Sequence, residues 1–238
     1  MWYNQCIERS DIMRKWLSML FKFIVVMASF IGLILVVCDI KVTYVGGWKG
    51  MLYFTNQSNL WIGIVCLVGL IIMIMEEIKH KKYIKPWMKI IKLVFTVAIT
   101  LTGVVYCFLL VPTMSEDPWC LTSVLTHVVV PVFAVADFLV YGVDFSYKYK
   151  HSFFALVPPF YYLIFAGIGY IINLDFGLGV NYPYFFLDWG APVGFFGISK
   201  ELPHYIGMFY WLILMLGIVL GFGILYVKVS KIVNKNRK

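Results

Sequence analysis

The sequence predicts an all-α, polytopic membrane protein in which six helices cross the membrane and both termini are cytoplasmic. Of its 238 residues, 62% are apolar and only 13% are charged, a composition far from that of a soluble domain. Nearly uncharged segments recur along the chain, each close to the length of about 20 residues that a helix needs to cross ~30 Å of hydrocarbon. This length suits one helical bundle, so we expect a single domain over residues 1–238.

Six apolar segments give the predicted helices. They cover about residues 16–38, 51–75, 93–111, 119–141, 152–173 and 204–227. The first contains Lys22, whose ammonium group we expect to reach the membrane surface along its own aliphatic stem. Pro112 marks the end of the third helix, and Pro158-Pro159 is expected to kink the fifth helix or displace its start.

Lysine and arginine residues are concentrated in alternate connections of the predicted helices. Most of them lie in the N-terminal segment, in the second and fourth connections or in the C-terminal tail, and Lys22 is counted here with the N-terminal segment. The exceptions are Lys41, Lys49 and Lys200. This asymmetry predicts cytoplasmic termini. The net charge of +8 therefore indicates contact with anionic membrane lipids and not with nucleic acid. We expect an integral protein of the cell (plasma) membrane, with an oligomeric state that the sequence leaves open.

Five consecutive hydrogen-bonding side chains open the second helix: Thr55, Asn56, Gln57, Ser58 and Asn59. A polar side chain without a partner is costly in hydrocarbon, so this cluster indicates an internal polar site. Thr55, Ser58 and Asn59 are spaced at i, i+3 and i+4 and share a helix face. They either join helices through hydrogen bonds, or form a site in which Thr55 is a nucleophile and Ser58 or Asn59 stabilises an oxyanion.

His127 is a polar residue inside the apolar fourth helix. We expect it to lie at about the same depth in the membrane as Thr55. A neutral imidazole in an apolar pocket can accept a hydroxyl proton, although a structural hydrogen bond to a carbonyl is the alternative. Asp137 lies ~15 Å further along the same helix, too far to orient His127, and we expect it to pair with a basic group nearer the inner side. Asp188, on the long outer connection, is the better candidate to orient the ring, and His204 could join the same site.

No metal or cofactor site is predicted. The four histidines fall on different sides of the membrane, and the chain has no HExxH motif, no phosphate-binding glycine loop and no GxSxG elbow. The five cysteines lack CxxC spacing. We expect them to be packing residues, with one disulfide among Cys38, Cys107 and Cys120 left open.

At these polar residues the chain resembles the androgen-induced membrane hydrolases and the related androgen-dependent regulators of tissue factor pathway inhibitor, most closely their bacterial branch of unassigned function. The matching elements are Gly46-Gly47-Trp48, Thr55 in Phe-Thr-x-x-Ser-Asn, His127 followed by Asp137, and the segment from Tyr182-Pro183 to Leu187-Asp188. Members of that family cleave fatty acid esters of hydroxy fatty acids with a threonine and a histidine.

The resemblance implies a membrane-embedded hydrolase of fatty acyl esters. Thr55 would attack the carbonyl, His127 would carry the proton and Asp188 would steer the imidazole. Asn56, Ser58, Asn59 and Tyr182 would surround the substrate, a lipid or fatty acyl ester, and no cofactor would be needed. Two alternatives stay open: a non-enzymatic lipid-binding, transport or sensor protein, and an acyltransferase that passes the acyl group to an acceptor other than water.

Overall fold

Six helices of the chain are long and apolar enough to cross a membrane. The computed structural model describes residues 2–42, 44–114, 117–200 and 206–235, with side chains from residue 11 onward. In chain order the spans are Asp11–Val37, Phe54–Lys79, Pro86–Thr113, Leu121–Asp144, Tyr149–Ile171 and Met208–Lys235, referred to below as the first to sixth span. No β-strand occurs among the described residues. The prediction of an all-α polytopic membrane protein is confirmed.

The observed helix ends differ from the predicted ones mainly where charged residues flank an apolar segment. The α-helices are Trp2–Val37, Gly47–Gly50, Phe54–Lys79, Pro86–Val105, Leu121–Val124, Val130–Val140, Val157–Ile171 and Met208–Lys235. The helices of the first and third spans begin earlier than predicted, at Trp2 and Pro86. A helix can continue beyond its apolar segment, and proline is well accommodated in a first turn. His204, where the sixth helix was predicted to begin, lies outside the described residues.

Two spans contain π-helical turns. The third span passes from α-helix into a π-helix at Tyr106–Leu110 and then a 3-10 helix at Val111–Thr113. The fourth span contains a π-helix at Leu125–Val129. Pro131 follows this second π segment and has no N–H, so the carbonyl of His127 four residues earlier lacks its α-helical donor.

The fifth span begins as a 3-10 helix, Tyr149–Leu156, and becomes α-helical only at Val157. Pro158 and Pro159 then occupy the first turn of the α-helix, where proline's missing N–H costs no hydrogen bond. The prediction that these two prolines displace the start of the helix is confirmed.

The long connection after the fifth span folds over one end of the bundle. We call this the outer end, and the end that carries the basic connection before Pro86 the inner end. Phe176 of the connection is fully buried, and Phe186 and Leu187 are nearly so. The Tyr53 hydroxyl donates to the Phe176 carbonyl at 3.0 Å. These contacts hold the connection over the start of the second span, where the predicted polar cluster lies.

Candidate functional site

Thr55 lies on the wall of a cavity at the outer end of the bundle. The cavity has a volume of about 80 Å³ and is formed by the second, third, fifth and sixth spans with the outer connection. Its side chains with hydroxyl groups are Thr55, Thr102, Tyr106, Tyr162 and Tyr184, and the other lining side chains are apolar or aromatic. A hydroxyl on the wall of such a cavity can meet a polar group of an otherwise apolar ligand.

Tyr184 is the polar neighbour of Thr55. Its hydroxyl oxygen lies 3.4 Å from Thr55 N and 3.5 Å from Thr55 Oγ1, so the threonine hydroxyl is loosely held. Burial raises the pKa of Tyr184 to about 12, and the phenol therefore keeps its proton at neutral pH. Tyr182 is the residue predicted to lie in these surroundings, but the structure places Tyr184 against Thr55, with its ring stacked on Phe186 at 5.0 Å.

Asn56 and Gln57 turn away from the cavity and hold the chain before the second span. The Asn56 amide donates to the Gly50 carbonyl at 2.7 Å, and the Gln57 amide donates to the Met51 carbonyl at 3.3 Å. Asn56 does not line the cavity. Its hydrogen bond to Gly50 joins the short helix Gly47–Gly50 to the start of the second span.

Ser58 and Asn59 join three spans. The Ser58 hydroxyl lies 2.7 Å from Thr102 Oγ1, and the Asn59 amide donates to the Thr126 carbonyl at 3.1 Å. Both side chains also donate to the Thr55 carbonyl, at 2.9 and 2.8 Å. Their donors are occupied by these bonds. Ser58 and Asn59 therefore fit the alternative in which polar side chains join helices through hydrogen bonds. The side-chain donor beside the Thr55 hydroxyl is Tyr184.

His127 is stacked on Tyr106, with ring centroids 3.5 Å apart and an angle of 15° between the planes. Its Nδ1 lies 3.0 Å from the Ser123 carbonyl and 3.1 Å from Thr126 Oγ1, while the Thr126 hydroxyl donates to the Thr122 carbonyl. Since both neighbours of Nδ1 can only accept, Nδ1 carries the proton. Nε2 is then the unprotonated nitrogen, and it makes no hydrogen bond to a described residue.

Thr55 and His127 are neighbours that do not touch. Among the described residues there is no hydrogen bond between the Thr55 hydroxyl and the imidazole. The Asn59 amide bridges the carbonyls of Thr55 and Thr126, which brings the residue before His127 beside Thr55. Tyr106 lines the cavity, whereas His127 does not. One face of the imidazole is stacked against the tyrosine ring, and His127 as a whole is partly exposed.

Local helix geometry sets up this stack. Tyr106 begins one π segment and His127 is at the centre of the other, and π turns within α-helices are frequent at functional sites. Gly103 allows the close approach, because a Cβ there would lie 3.0 Å from the His127 carbonyl oxygen and 3.2 Å from Pro131 Cβ. No sequence pattern pointed to Tyr106, which is one aromatic residue among many in apolar helices.

Asp188 does not contact the imidazole. Its Oδ1 accepts a hydrogen bond from Gly190 N at 2.9 Å, within the outer connection. The expected orienting role is filled by the Ser123 carbonyl, which lies one helical turn before His127 and is therefore held close to the ring by the helix itself. The predicted contribution of His204 falls outside the described residues.

A second polar cluster lies inside the bundle towards the inner end. Asp137 is fully buried; its Oδ1 accepts from Lys22 Nζ and from Ser18 Oγ, each at 2.6 Å. Lys92 Nζ lies 2.9 Å from Asp137 Oδ2. The prediction that Asp137 pairs with a basic group is confirmed. The prediction that Lys22 reaches the membrane surface is wrong: it is 7% exposed, because pairing with Asp137 offsets the cost of burying its charge.

The described residues contain no group of three or more His, Cys, Asp or Glu side chains able to hold a metal ion. Cys38, Cys107 and Cys120 are not joined by a disulfide.

Comparisons with protein-family models, with curated proteins and with solved structures give no match for this chain. The resemblance to the androgen-induced membrane hydrolases therefore stays a prediction that rests on the motif residues. A function has to be argued from the chemistry of the sites.

Proposed function

We propose that this protein hydrolyses a fatty acyl ester within the membrane, with Thr55 as the nucleophile and His127 as the general base. One observation carries the proposal. The Thr55 hydroxyl and a protonated phenol, Tyr184, lie on an apolar cavity whose wall includes Tyr106, and that ring is stacked on an imidazole with an unprotonated Nε2. The motif resemblance points to the same threonine and histidine.

In the first half-reaction the Thr55 oxygen attacks the ester carbonyl carbon while its proton passes to His127 Nε2. The carbonyl electron pair moves onto oxygen, and the Tyr184 hydroxyl donates a hydrogen bond to that oxyanion. When the tetrahedral intermediate collapses, the C–O bond to the leaving alcohol breaks. The departing alcohol oxygen takes the proton from His127. The acyl group is then esterified to Thr55.

In the second half-reaction a water molecule attacks the acyl-Thr55 ester. His127 accepts a proton from the water, and Tyr184 again faces the oxyanion. Collapse of this intermediate breaks the bond between the acyl carbon and the Thr55 oxygen, which recovers its proton from His127. The products are a free fatty acid and the unchanged enzyme. Water reaches Thr55 readily, since it lies at the outer end of its span.

The proposal requires Tyr106 to move when substrate binds. The ring covers one face of the imidazole, and the cavity of about 80 Å³ is smaller than the ~300–1,000 Å³ of ordinary ligand pockets. Displacing Tyr106 would join the cavity to His127 and enlarge it. The movement gives up the hydrogen bonds of the Tyr106 hydroxyl with the Pro118 carbonyl and with Ser123, each at a net cost of about 1 kcal/mol. An acyl chain that fills the enlarged cavity would offset this cost.

The proposed setting is the cell (plasma) membrane with cytoplasmic termini. The charge asymmetry of the connections supports this orientation, which turns the Thr55 cavity towards the external face. A substrate ester would then enter from the outer leaflet.

Labelling with a fluorophosphonate lipid probe tests the proposed function. We expect the purified wild type to be labelled and both Thr55→Ala and His127→Ala to lose the label. Thr113→Ala is the matched control, since Thr113 is an exposed threonine in the same outer half and its hydroxyl bonds only to the Leu110 carbonyl. Retention of label by folded Thr55→Ala, or a folded wild type that neither reacts nor cleaves any acyl ester, would overturn the proposal.

A further inference from the structure

A second cavity lies towards the inner end of the bundle and shares no lining residue with the outer one. Its volume is about 300 Å³, within the range of small-ligand pockets. The first four spans supply its walls. The hydrolysis proposed above uses none of its residues, and the inference below does not depend on that function.

Charged side chains line this cavity unequally. Three are cationic, Lys22, Lys89 and Lys92, and one is anionic, Asp137. Asp137 is already shared by Lys22 and Lys92. Lys89 forms no ion pair with a described carboxylate, and its Nζ lies 4.2 Å from the centroid of the Tyr141 ring. One carboxylate for three ammonium groups leaves an excess of positive charge in a site otherwise lined by apolar side chains.

The nearest other carboxylates at the inner end have partners of their own. Asp144 pairs with Arg14 at 2.9 Å. Glu76 accepts hydrogen bonds from the backbone N–H groups of Tyr83 and Ile84. Neither carboxylate lines the cavity. Asp144 and Glu76 attract Lys89 only from a distance and not through a direct ion pair. A cation beside hydrocarbon is costly, so an anion that enters the cavity would gain direct contact with this ammonium group.

The cavity is also open to lipid on one side. Ile64 and Val68 of the second span and Trp87 of the third line it, yet they are 45%, 43% and 56% exposed. The wall of the cavity is therefore continuous with the apolar surface between these two spans. A hydrocarbon chain could lie along that surface while a polar group at its end reaches the lysines.

We propose that the inner cavity binds the anionic headgroup of a membrane amphiphile, with Lys89 as its main cationic contact and the acyl chain lying between the second and third spans. The shared chemistry is a carboxylate or phosphate on a long hydrocarbon chain, as in a fatty acid or an acidic lysophospholipid. Neutral molecules of the same chain length would leave the positive excess uncompensated. They should therefore bind much more weakly.

Binding to full-length protein in a neutral detergent tests the site, with palmitate, lysophosphatidic acid, methyl palmitate and 1-hexadecanol as the probes. Lysophosphatidic acid and methyl palmitate are acyl esters, so each measurement is repeated on Thr55→Ala, in which the proposed hydrolysis cannot consume them. We expect the two acids to bind wild type at least about tenfold more tightly than the two neutral molecules, as one charge-assisted hydrogen bond would give. Lys89→Gln should reduce acid binding about tenfold. Lys81→Gln, which changes an exposed lysine of the connection just before the third span, should bind like wild type.

Equal binding of acids and neutral molecules by wild type would overturn the proposal, as would equal acid binding by Lys89→Gln and Lys81→Gln. The wild-type comparison decides the matter even if Lys89→Gln does not fold. Preference for palmitate identifies a fatty acid as the ligand, and preference for lysophosphatidic acid identifies a phospholipid; both support an anionic headgroup site. Thr55→Ala should bind the acids like wild type, which separates this inference from the proposed hydrolysis.

Discussion

Tyr106 lies face to face with His127, with 3.5 Å between the ring centroids, and each residue belongs to a π-helical segment of its own span. The pair links two features that are otherwise separate. Tyr106 is part of the cavity wall that contains Thr55, and His127 holds the unprotonated nitrogen that a hydroxyl nucleophile requires. In the proposed mechanism, the position of the Tyr106 ring therefore controls whether Thr55 and His127 can act together.

Replacing Tyr106 with alanine should expose His127 to reagents that enter the cavity. We expect diethyl pyrocarbonate to modify His127 several-fold faster in Tyr106→Ala than in wild type, measured by mass spectrometry of the peptide. Tyr106→Phe keeps the ring and loses the hydrogen bonds of its hydroxyl group with the Pro118 carbonyl and with Ser123, so its rate should stay near that of wild type. Equal rates in Tyr106→Ala and wild type would show that the ring does not cover the imidazole.

Removing the Tyr184 hydroxyl should slow ester cleavage while leaving substrate binding nearly intact. Loss of one oxyanion donor costs about 10²–10³ in kcat, so we expect Tyr184→Phe to show that loss with little change in KM. Tyr182→Phe is the matched control and should behave like wild type. Because burial raises the pKa of Tyr184 to about 12, its donor proton is present from neutral pH to beyond pH 10. Activity should therefore show no fall in that range from ionisation of Tyr184, and equal kcat in the two variants would exclude it as the donor.

Adding a methyl group at Gly103 should force the third and fourth spans apart. A Cβ would meet the His127 carbonyl oxygen at 3.0 Å and Pro131 Cβ at 3.2 Å, and overpacking of this kind costs about 1–3 kcal/mol. We expect Gly103→Ala to lower the unfolding midpoint in detergent and to reduce labelling at Thr55. Gly217→Ala is the control, because a Cβ there meets nothing within 4 Å. Equal midpoints for both variants would mean that this close approach does not matter.

Neutralising Asp137 should destabilise the protein strongly. Asp137→Asn leaves Lys22 and Lys92 buried without their shared carboxylate, and breaking a buried ion pair costs about 3–5 kcal/mol. Asp11→Asn removes an exposed carboxylate whose ion pair with Arg14 spans 3.7 Å, and it should cost less than about 1 kcal/mol. Unfolding by a denaturing detergent measures both variants. A loss no larger in Asp137→Asn than in Asp11→Asn would contradict the role given to the buried cluster.

The six spans could be predicted from the sequence, because the free energy of placing a segment in hydrocarbon depends on that segment's own side chains. The displaced start of the fifth helix follows for the same reason, since proline acts on the backbone of its own turn. Thr55, His127 and Asp137 were also visible in the sequence, because polar groups are conspicuous within apolar segments. The roles predicted for Asp188 and Tyr182 had no such basis in local physics.

Tertiary structure alone decided which side chains meet. Tyr184 lies against Thr55 and Tyr106 against His127 only because a loop folds over the bundle and two spans approach at Gly103. Lys22 is buried because an aspartate on another span lies at its depth. Hydropathy gives the length and depth of each helix but not its rotation about its own axis or its neighbours. Those depend on packing between distant segments, and they set the contacts of both cavities.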